Sequence, residues 1–343
     1  MGITDLFKRC KFADFDIETF AYKNMGIDMY VLFHRCIHKE FAKELVDHPD
    51  AYIEPYYKSV FLILNGFAIN GYNLYLVYDG DKMNYKITEK NREQRREAQK
   101  AAAVISGDWS ACVDVTPAQM YNFHLYLKEQ HPEFKYQFVV APFEADAQLA
   151  YLYKKGIINS VLTSDSDLII YGVDHILFLS NGTNNIKYYI KLTTNDEPEC
   201  INEMDKEKLW IFGYLIRCDY FEGIKGIGIV KAFDTLKHLK LRTVDNIINW
   251  EDVFDSVQAL LIKHKLRNVI HSYKSFSQVR HVYTKQPIYD PITKMIKYLD
   301  DTNVKDNIKD FGSVEYYNYV CTGVYDPITK QPFIDKRMDK PIN

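Results

Sequence analysis

No CxxC pair occurs among the six cysteines of this chain, Cys10, Cys36, Cys112, Cys200, Cys218 and Cys321. That scatter excludes the common zinc-binding and dithiol motifs and argues against a disulfide framework, so free thiols in a reducing compartment are expected. Long apolar runs are equally scarce. The longest, VFLILNGFAI over residues 60–69, is interrupted by Asn and Gly and falls short of the roughly 20 residues a bilayer-spanning helix needs. The opening MGITDLFKR has no apolar signal-peptide core. A soluble, intracellular protein with no membrane partner is the expectation. One-sided charge is missing too, since 43 Lys and Arg stand against 46 Asp and Glu for a net charge of -3. That total does not exclude a nucleic-acid partner, because a local carboxylate cluster lowers the sum while basic residues gather elsewhere. Hydrophobic residues are plentiful at 47% of 343, enough to bury the core of one large α/β domain or two smaller ones.

Carboxylates recur directly after short apolar runs. FVVAPF is followed by Glu144-Ala-Asp146, which opens the helical pattern ADAQLAYLYKK, and NSVLT is followed by Ser164-Asp165-Ser166-Asp167. Upstream, LYLVY ends in Asp79-Gly80, and the weaker NMGI ends in Asp28 before the helical pattern MYVLFHRCIHKEF. Each reads as a strand followed by an acid. In open α/β sheets ligands sit outside the carboxyl ends of the strands, so Asp28, Asp79, Glu144, Asp146, Asp165 and Asp167 are expected to meet at one edge. Without a partner they would repel and raise one another's pKa values; a divalent cation removes the conflict. Oxygen donors with no His or Cys at zinc spacing indicate Mg²⁺, with Mn²⁺ as a substitute, rather than zinc. The acids outnumber what one Mg²⁺ requires, which points to a pair of ions roughly 4 Å apart clamping a phosphodiester.

Several other stretches have local readings. Residues 82–100, KMNYKITEKNREQRREAQK, carry Lys, Arg and Glu at helical spacing with almost no apolar face; on its own this is a solvated helix with internal ion pairs. Thr116-Pro117 is an N-cap with Pro at the first helical position, ahead of AQMYNFHLYLKEQ. HILFLSNGTNNIKYYI holds two strand-like halves around Asn181-Gly182, a hairpin signal. YDPITK occurs at residues 289–294 and again at 325–330, predicting two similar turns and no chemistry. In LIRCDYFEGIKGIGIVKAFDT, Asp219 closes one helical stretch and Gly223, Gly226 and Gly228 turn into another. Bare backbone and the free N–H groups of the next helix suit an anion such as a DNA phosphate, although a glycine turn alone is more often a helix cap.

In this order, Asp28, Asp79, Glu144-Ala-Asp146, Asp165-Ser-Asp167 and Cys218-Asp219-Tyr220 with the glycine turn resemble the XPG/flap-endonuclease superfamily of structure-specific 5′ nucleases. APFEADAQLAYL, TSDSDLIIYG and QPIYDPITKMIKYL are most similar to its exonuclease 1 branch. The resemblance covers residues 1–300 and is strongest over 137–235. It implies an α/β fold with a mostly parallel central sheet (PIN/5′-nuclease-like), a helical arch and a helix-hairpin (helix-three-turn-helix) DNA-binding element. One catalytic domain over 1–300 is implied, with an N-terminal region 1–103, an internal region 133–222 and the hairpin element 210–240, and residues 301–343 form a tail packing on or extending from it. Asp28, Asp79, Glu144, Asp146, Asp165, Asp167 and Asp219 would hold two Mg²⁺ ions, and a monovalent K⁺ would sit at the helix-hairpin.

The resemblance also implies that Lys86 and Arg92 reach the scissile phosphate, and that Gly2, exposed as an amino terminus after Met removal, lies near the active site. Because the spacing from Lys86 to Arg92 is one residue shorter than usual, Arg95 and Arg96 are its neighbouring alternatives. Tyr30 and His34 match positions that stack a base near the cut; for Tyr30, packing against the sheet is an equal alternative. Gly223, Lys225, Gly226, Gly228 and Lys231 would grip the duplex backbone. Three residues depart from the pattern: Arg217 stands where a glycine usually precedes Cys-Asp-Tyr, Asp5 replaces a glycine, and Ser164 replaces an acid.

The implied substrate is double-stranded DNA with 5′ ends, nicks or flaps, cut by a 5′-to-3′ exonuclease and flap endonuclease acting as a monomer. No sliding-clamp motif is evident. The implied compartment is the nucleus, or a cytoplasmic replication site in a viral setting. Two competing classes are a non-catalytic DNA-structure-binding factor of the same fold and a Mg²⁺-dependent phosphatase. The first conflicts with the complete acid set, the second with Leu168 and the mid-chain position of Asp165-Ser-Asp167.

Overall fold

The computed structural model describes residues 6, 10–83, 86–179, 186–194, 197–200, 206–241, 243–244, 247–263, 272–300, 319–335 and 340–341. Its centre is a sheet of eight strands: β1 (Cys10–Asp14), β2 (Asn24–Asp28), β3 (Asn73–Tyr78), β4 (Gln137–Val140), β5 (Ser160–Thr163), β6 (Ile176–Leu179), β7 (Ile186–Thr194) and β8 (Glu197–Cys200). They run in the order β1-β7-β6-β5-β2-β3-β4, with β8 paired to β7. Strands β2 to β6 pair in parallel. The resemblance's mostly parallel sheet is therefore a parallel centre, extended on the β6 side by the antiparallel strands β7, β1 and β8. Antiparallel pairing of β6 with β7 agrees with the expected hairpin, whose turn at Asn181-Gly182 lies outside the described residues.

Helices cover both faces, which is why the parallel strands read as continuous apolar runs. Along β2, Met25 and Ile27 enter one core together with α1 (Met29–Arg35), α2 (Lys39–Asp47), α3 (Glu54–Ile69) and α5 (Pro117–Gln130). Val77 of β3 and Val161 of β5 enter the other, which holds α6 (Ala145–Lys154), α7 (Asp167–Ile170), α8 (Lys206–Ile216), α9 (Ile229–His238), α10 (Trp250–Lys263) and α11 (Tyr273–Lys285). Gly26 faces this second core. A Cβ there would come within 2.5 Å of the Ile158 terminal methyl and 2.6 Å of a Leu149 methyl, so any side chain at that point would have to push these two aside.

The charged stretch forms α4 (Thr88–Ser106). Helix α5 starts as expected, with Pro117 in its first turn and the Gln119 side chain accepting the Thr116 N–H at 2.7 Å. Near the C-terminus, residues 319–335 lie against the core. Val320, Cys321 and Phe333 are buried, Phe333 stacks on Tyr121 with centroids 4.8 Å apart, and Lys330 Nζ is 2.6 Å from Asp81 Oδ2. The two YDPITK copies form matching turns: Asp290 and Asp326 each accept N–H groups two and three residues on, and Lys294 and Lys330 adopt φ 55 and 63. Among the described residues five cysteines are free thiols, and no helix is long and apolar enough to cross a membrane.

Candidate metal centre

Every parallel strand from β2 to β5 delivers an acid at its carboxyl end. Asp28 is the last residue of β2 and caps α1, accepting the Val31 N–H at 3.2 Å and the Thr163 hydroxyl at 2.9 Å. Asp79 follows β3 and accepts the Ala145 N–H at 2.7 Å, tying its loop to the start of α6. Glu144 and Asp146 flank that start. After β5, Asp165 accepts the N–H of Asp167 at 3.0 Å, and Asp167 opens α7.

These acids share one field. Burial, then the charge of Asp79, pushes Asp28 from 3.8 up to about 7. Burial followed by the charge of Asp165 raises Asp146 and Asp167 well above the ordinary carboxylate range, with Asp28 and Asp219 among their further neighbours. Asp165 is raised as well, chiefly by burial. Charge repulsion between desolvated carboxylates has this sign.

Lys86 answers part of that charge. Its ammonium lies 2.7 Å from Glu144 Oε1 and 3.4 Å from Asp219 Oδ2, with these side chains 14 to 17% exposed. The Ile87 N–H donates to the Asp219 carbonyl at 3.0 Å, so the residues leading into α4 are fastened at the acid cluster. Among the described residues no group of three or more His, Cys, Asp or Glu side chains is drawn close enough to hold a metal ion as it stands. Even so, the donor set suits a hard divalent cation. It consists of carboxylate oxygens, and Oδ1 of Asp167 is buried without a hydrogen-bond partner, an acceptor of the kind a cation satisfies.

The expected phosphate-gripping turn joins α8 to α9. Ile224 and Ile227 are buried, while Lys225, Gly226 and Gly228 face solvent. Gly223 and Gly226 take φ 76 and 91, and a Cβ on Gly223 would come 2.7 Å from the Arg217 nitrogen. Lys231 donates to the Gly226 carbonyl at 3.0 Å, so it braces the turn from α9.

Other expected residues are placed less uniformly. His34 is exposed at the end of α1, whereas Tyr30 is half-buried against Tyr78, edge to face at 6.5 Å. Arg95 is exposed; Arg96 makes a two-pronged ion pair with Asp114 at 2.7 Å. Gly2 and the side chain of Arg92 lie outside the described residues.

Sequence reasoning gave no role to Tyr220 or Thr163. The Tyr220 hydroxyl donates to Glu144 Oε2 at 2.6 Å. Both residues adjoin an acid motif, and that adjacency was the available signal.

The XPG I-region family model matches residues 135–219, the segment that holds Glu144, Asp146, Asp165, Asp167 and Asp219. Exodeoxyribonuclease 1 of Schizosaccharomyces pombe is 28% identical over 344 residues, covering 92% of this chain and 55% of that protein. Exonuclease 1 of Arabidopsis thaliana is 23% identical over 278 residues, covering 75% and 35%. Over residues 135–219 the chain is similar to the XPG family. Both of these relatives are exonuclease 1 proteins, so the likeness runs toward that branch. The chain spans about half, or less, of these two relatives' own length, 55% and 35%. The catalytic core of Rad2 in complex with DNA substrate superimposes with a TM-score of 0.52 at 15% identity, covering 82% of this chain and 86% of that one, a likeness of fold.

Proposed function

We propose that this chain is a structure-specific 5′ nuclease that hydrolyses DNA phosphodiester bonds, as a 5′-to-3′ exonuclease and 5′-flap endonuclease, in repair, recombination or replication. The observation that carries the reading is the buried, unpartnered Oδ1 of Asp167 inside a group of acids that raise one another's proton affinity. A divalent pair, Mg²⁺ or Mn²⁺, held by Asp28, Asp79, Glu144, Asp146, Asp165, Asp167 and Asp219 would relieve that conflict. The chemistry such ions supply when bound is charge neutralisation of the phosphodiester and acidification of water for attack. Lys86, set between Glu144 and Asp219, stands ready to meet negative charge on an entering phosphate. His34 would offer its exposed ring, in the last turn of the helix that Asp28 caps, to a displaced base. Farther off, the Gly223–Gly228 turn with Lys225 and Lys231 would hold duplex backbone without reading sequence, with K⁺ as its monovalent companion.

The substrate is duplex DNA with a 5′ end, nick or flap. The acting unit is a monomeric catalytic domain over 1–300 with residues 319–335 packed against it, working in the nucleus or at a viral replication site. Incubating the purified chain with 5′-labelled nicked, recessed and flap duplexes and Mg²⁺ tests the reading. Short 5′ products or released flaps are expected, and intact substrates in every case would refute it.

A further inference from the structure

Arg217 holds a backbone conformation that an arginine resists. Three non-glycine residues among those described have positive φ, and two of them, Lys294 and Lys330, lie near 60° in the matching turns. Arg217 lies at 127°, well beyond the left-handed helical basin, where a Cβ crowds the backbone. Its surroundings fix that angle. The Arg217 N–H donates to the Gly213 carbonyl at 3.1 Å, Cys218 pairs with Phe221 through bonds of 3.0 and 3.3 Å, and the backbone of Gly223 runs so close that a Cβ on it would come 2.7 Å from the Arg217 nitrogen. Relaxing residue 217 would move Asp219 on one side and the glycine turn on the other. Glycine, the residue this motif usually carries there, would remove the strain.

Packing gives no reason for the arginine. Its side chain is exposed and makes no hydrogen bond or ion pair with any described residue, although acids are dense nearby. Backbone strain retained under an exposed charged side chain indicates a role for that side chain. The position supplies one: Asp219 is two residues away, at most roughly 7 Å along an extended chain, and the turn bearing exposed Lys225 begins at Gly223. A guanidinium is always charged and offers paired N–H donors that match phosphate oxygens.

We propose that Arg217 binds a backbone phosphate of the substrate strand, between the contacts of the glycine turn and the scissile bond. This rests on the nuclease reading above. The two can fail separately, because binding by the parent protein is measured before Arg217 is changed.

The experiment uses the full chain carrying Asp167→Ala to prevent cleavage, with a fluorescent nicked duplex, Mg²⁺ and a KCl series, alongside melting curves. Adding Arg217→Gly is expected to raise the melting temperature by a few degrees while weakening binding about tenfold and reducing the salt slope by about one ion. Arg217→Lys keeps charge and strain, and is expected to keep the parent melting temperature and slope. A glycine variant that is more stable yet binds with unchanged affinity and slope overturns the proposal, as does one that melts lower, which makes the side chain a structural element. A parent that does not bind the duplex overturns both the proposal and the nuclease reading.

Discussion

Tyr220 and Glu144, 76 residues apart, are joined by a 2.6 Å hydrogen bond in which the phenol donates to Oε2, while Lys86 donates to Oε1 at 2.7 Å. One carboxylate is thus held from both sides at the edge of the acid cluster. Tyr220→Phe should keep the packing, since the ring is buried, and cost about 1–2 kcal/mol from the lost buried bond. With Glu144 free to turn, Mn²⁺ affinity measured by calorimetry is expected to fall about tenfold. Unaltered affinity would mean the phenol does not orient the carboxylate.

Asp167→Ala is expected to abolish cleavage and, in EDTA, to raise the melting temperature. Loss of a buried polar side chain ordinarily destabilises. Here the carboxylate is desolvated, repelled by Asp165 and Asp219 and unpartnered at Oδ1, so its removal relieves the metal-free fold. A variant that still turns over, or that melts lower without metal, contradicts the account.

Asp28 makes the metal-free protein sensitive to pH. Its carboxyl is raised from 3.8 to about 7, by burial first and then by Asp79. The folded state therefore holds this proton more tightly than the unfolded chain, and stability declines as pH rises from about 4 through 7. Relative to Asp28→Asn, which cannot titrate, the wild-type chain in EDTA should lose ground between pH 5 and 8. Mg²⁺ should narrow the difference. Denaturant midpoints at the two pH values measure it, and a pH-independent gap would show that Asp28 does not titrate in this range.

Phe333 and Lys330 separate the two ways in which the C-terminal segment is held. Phe333 is 7% exposed and stacked on Tyr121, so Phe333→Ala should cost about 3–4 kcal/mol. The Lys330–Asp81 pair is 36% exposed on each side, and Lys330→Met should cost under about 1 kcal/mol. Urea titrations of both variants check the order. Equal costs would mean the segment is held by charge rather than by its ring.

Much of this architecture was legible in the chain because apolar runs ending in acids leave a local mark. Strand β2 left the weakest one, because Gly26, packed close to the methyls of Ile158 and Leu149, breaks its apolar run. The paired turns at Asp290 and Asp326 were legible from identical residues. The pairing of β1 with β7 was not, since it joins residues 10–14 to 187–192 and depends on the finished sheet. Lys330 meets Asp81 across 249 residues with no local sign. Arg96 was grouped with the arch basic residues, but Asp114 takes its guanidinium, a competition that spacing cannot reveal. The strain at Arg217 likewise belongs to the assembled hairpin.

Gly80 sits where the loop after β3 touches the loop after β4: its N–H donates to the Phe143 carbonyl at 2.5 Å, and a Cβ would collide with the Ala141 carbonyl oxygen. The site is all-or-none. Even a methyl group would wedge apart the two segments that carry Asp79 and Glu144, so harm at this position would register in metal retention before it registered in melting, and a survey judging variants by solubility alone would pass over it.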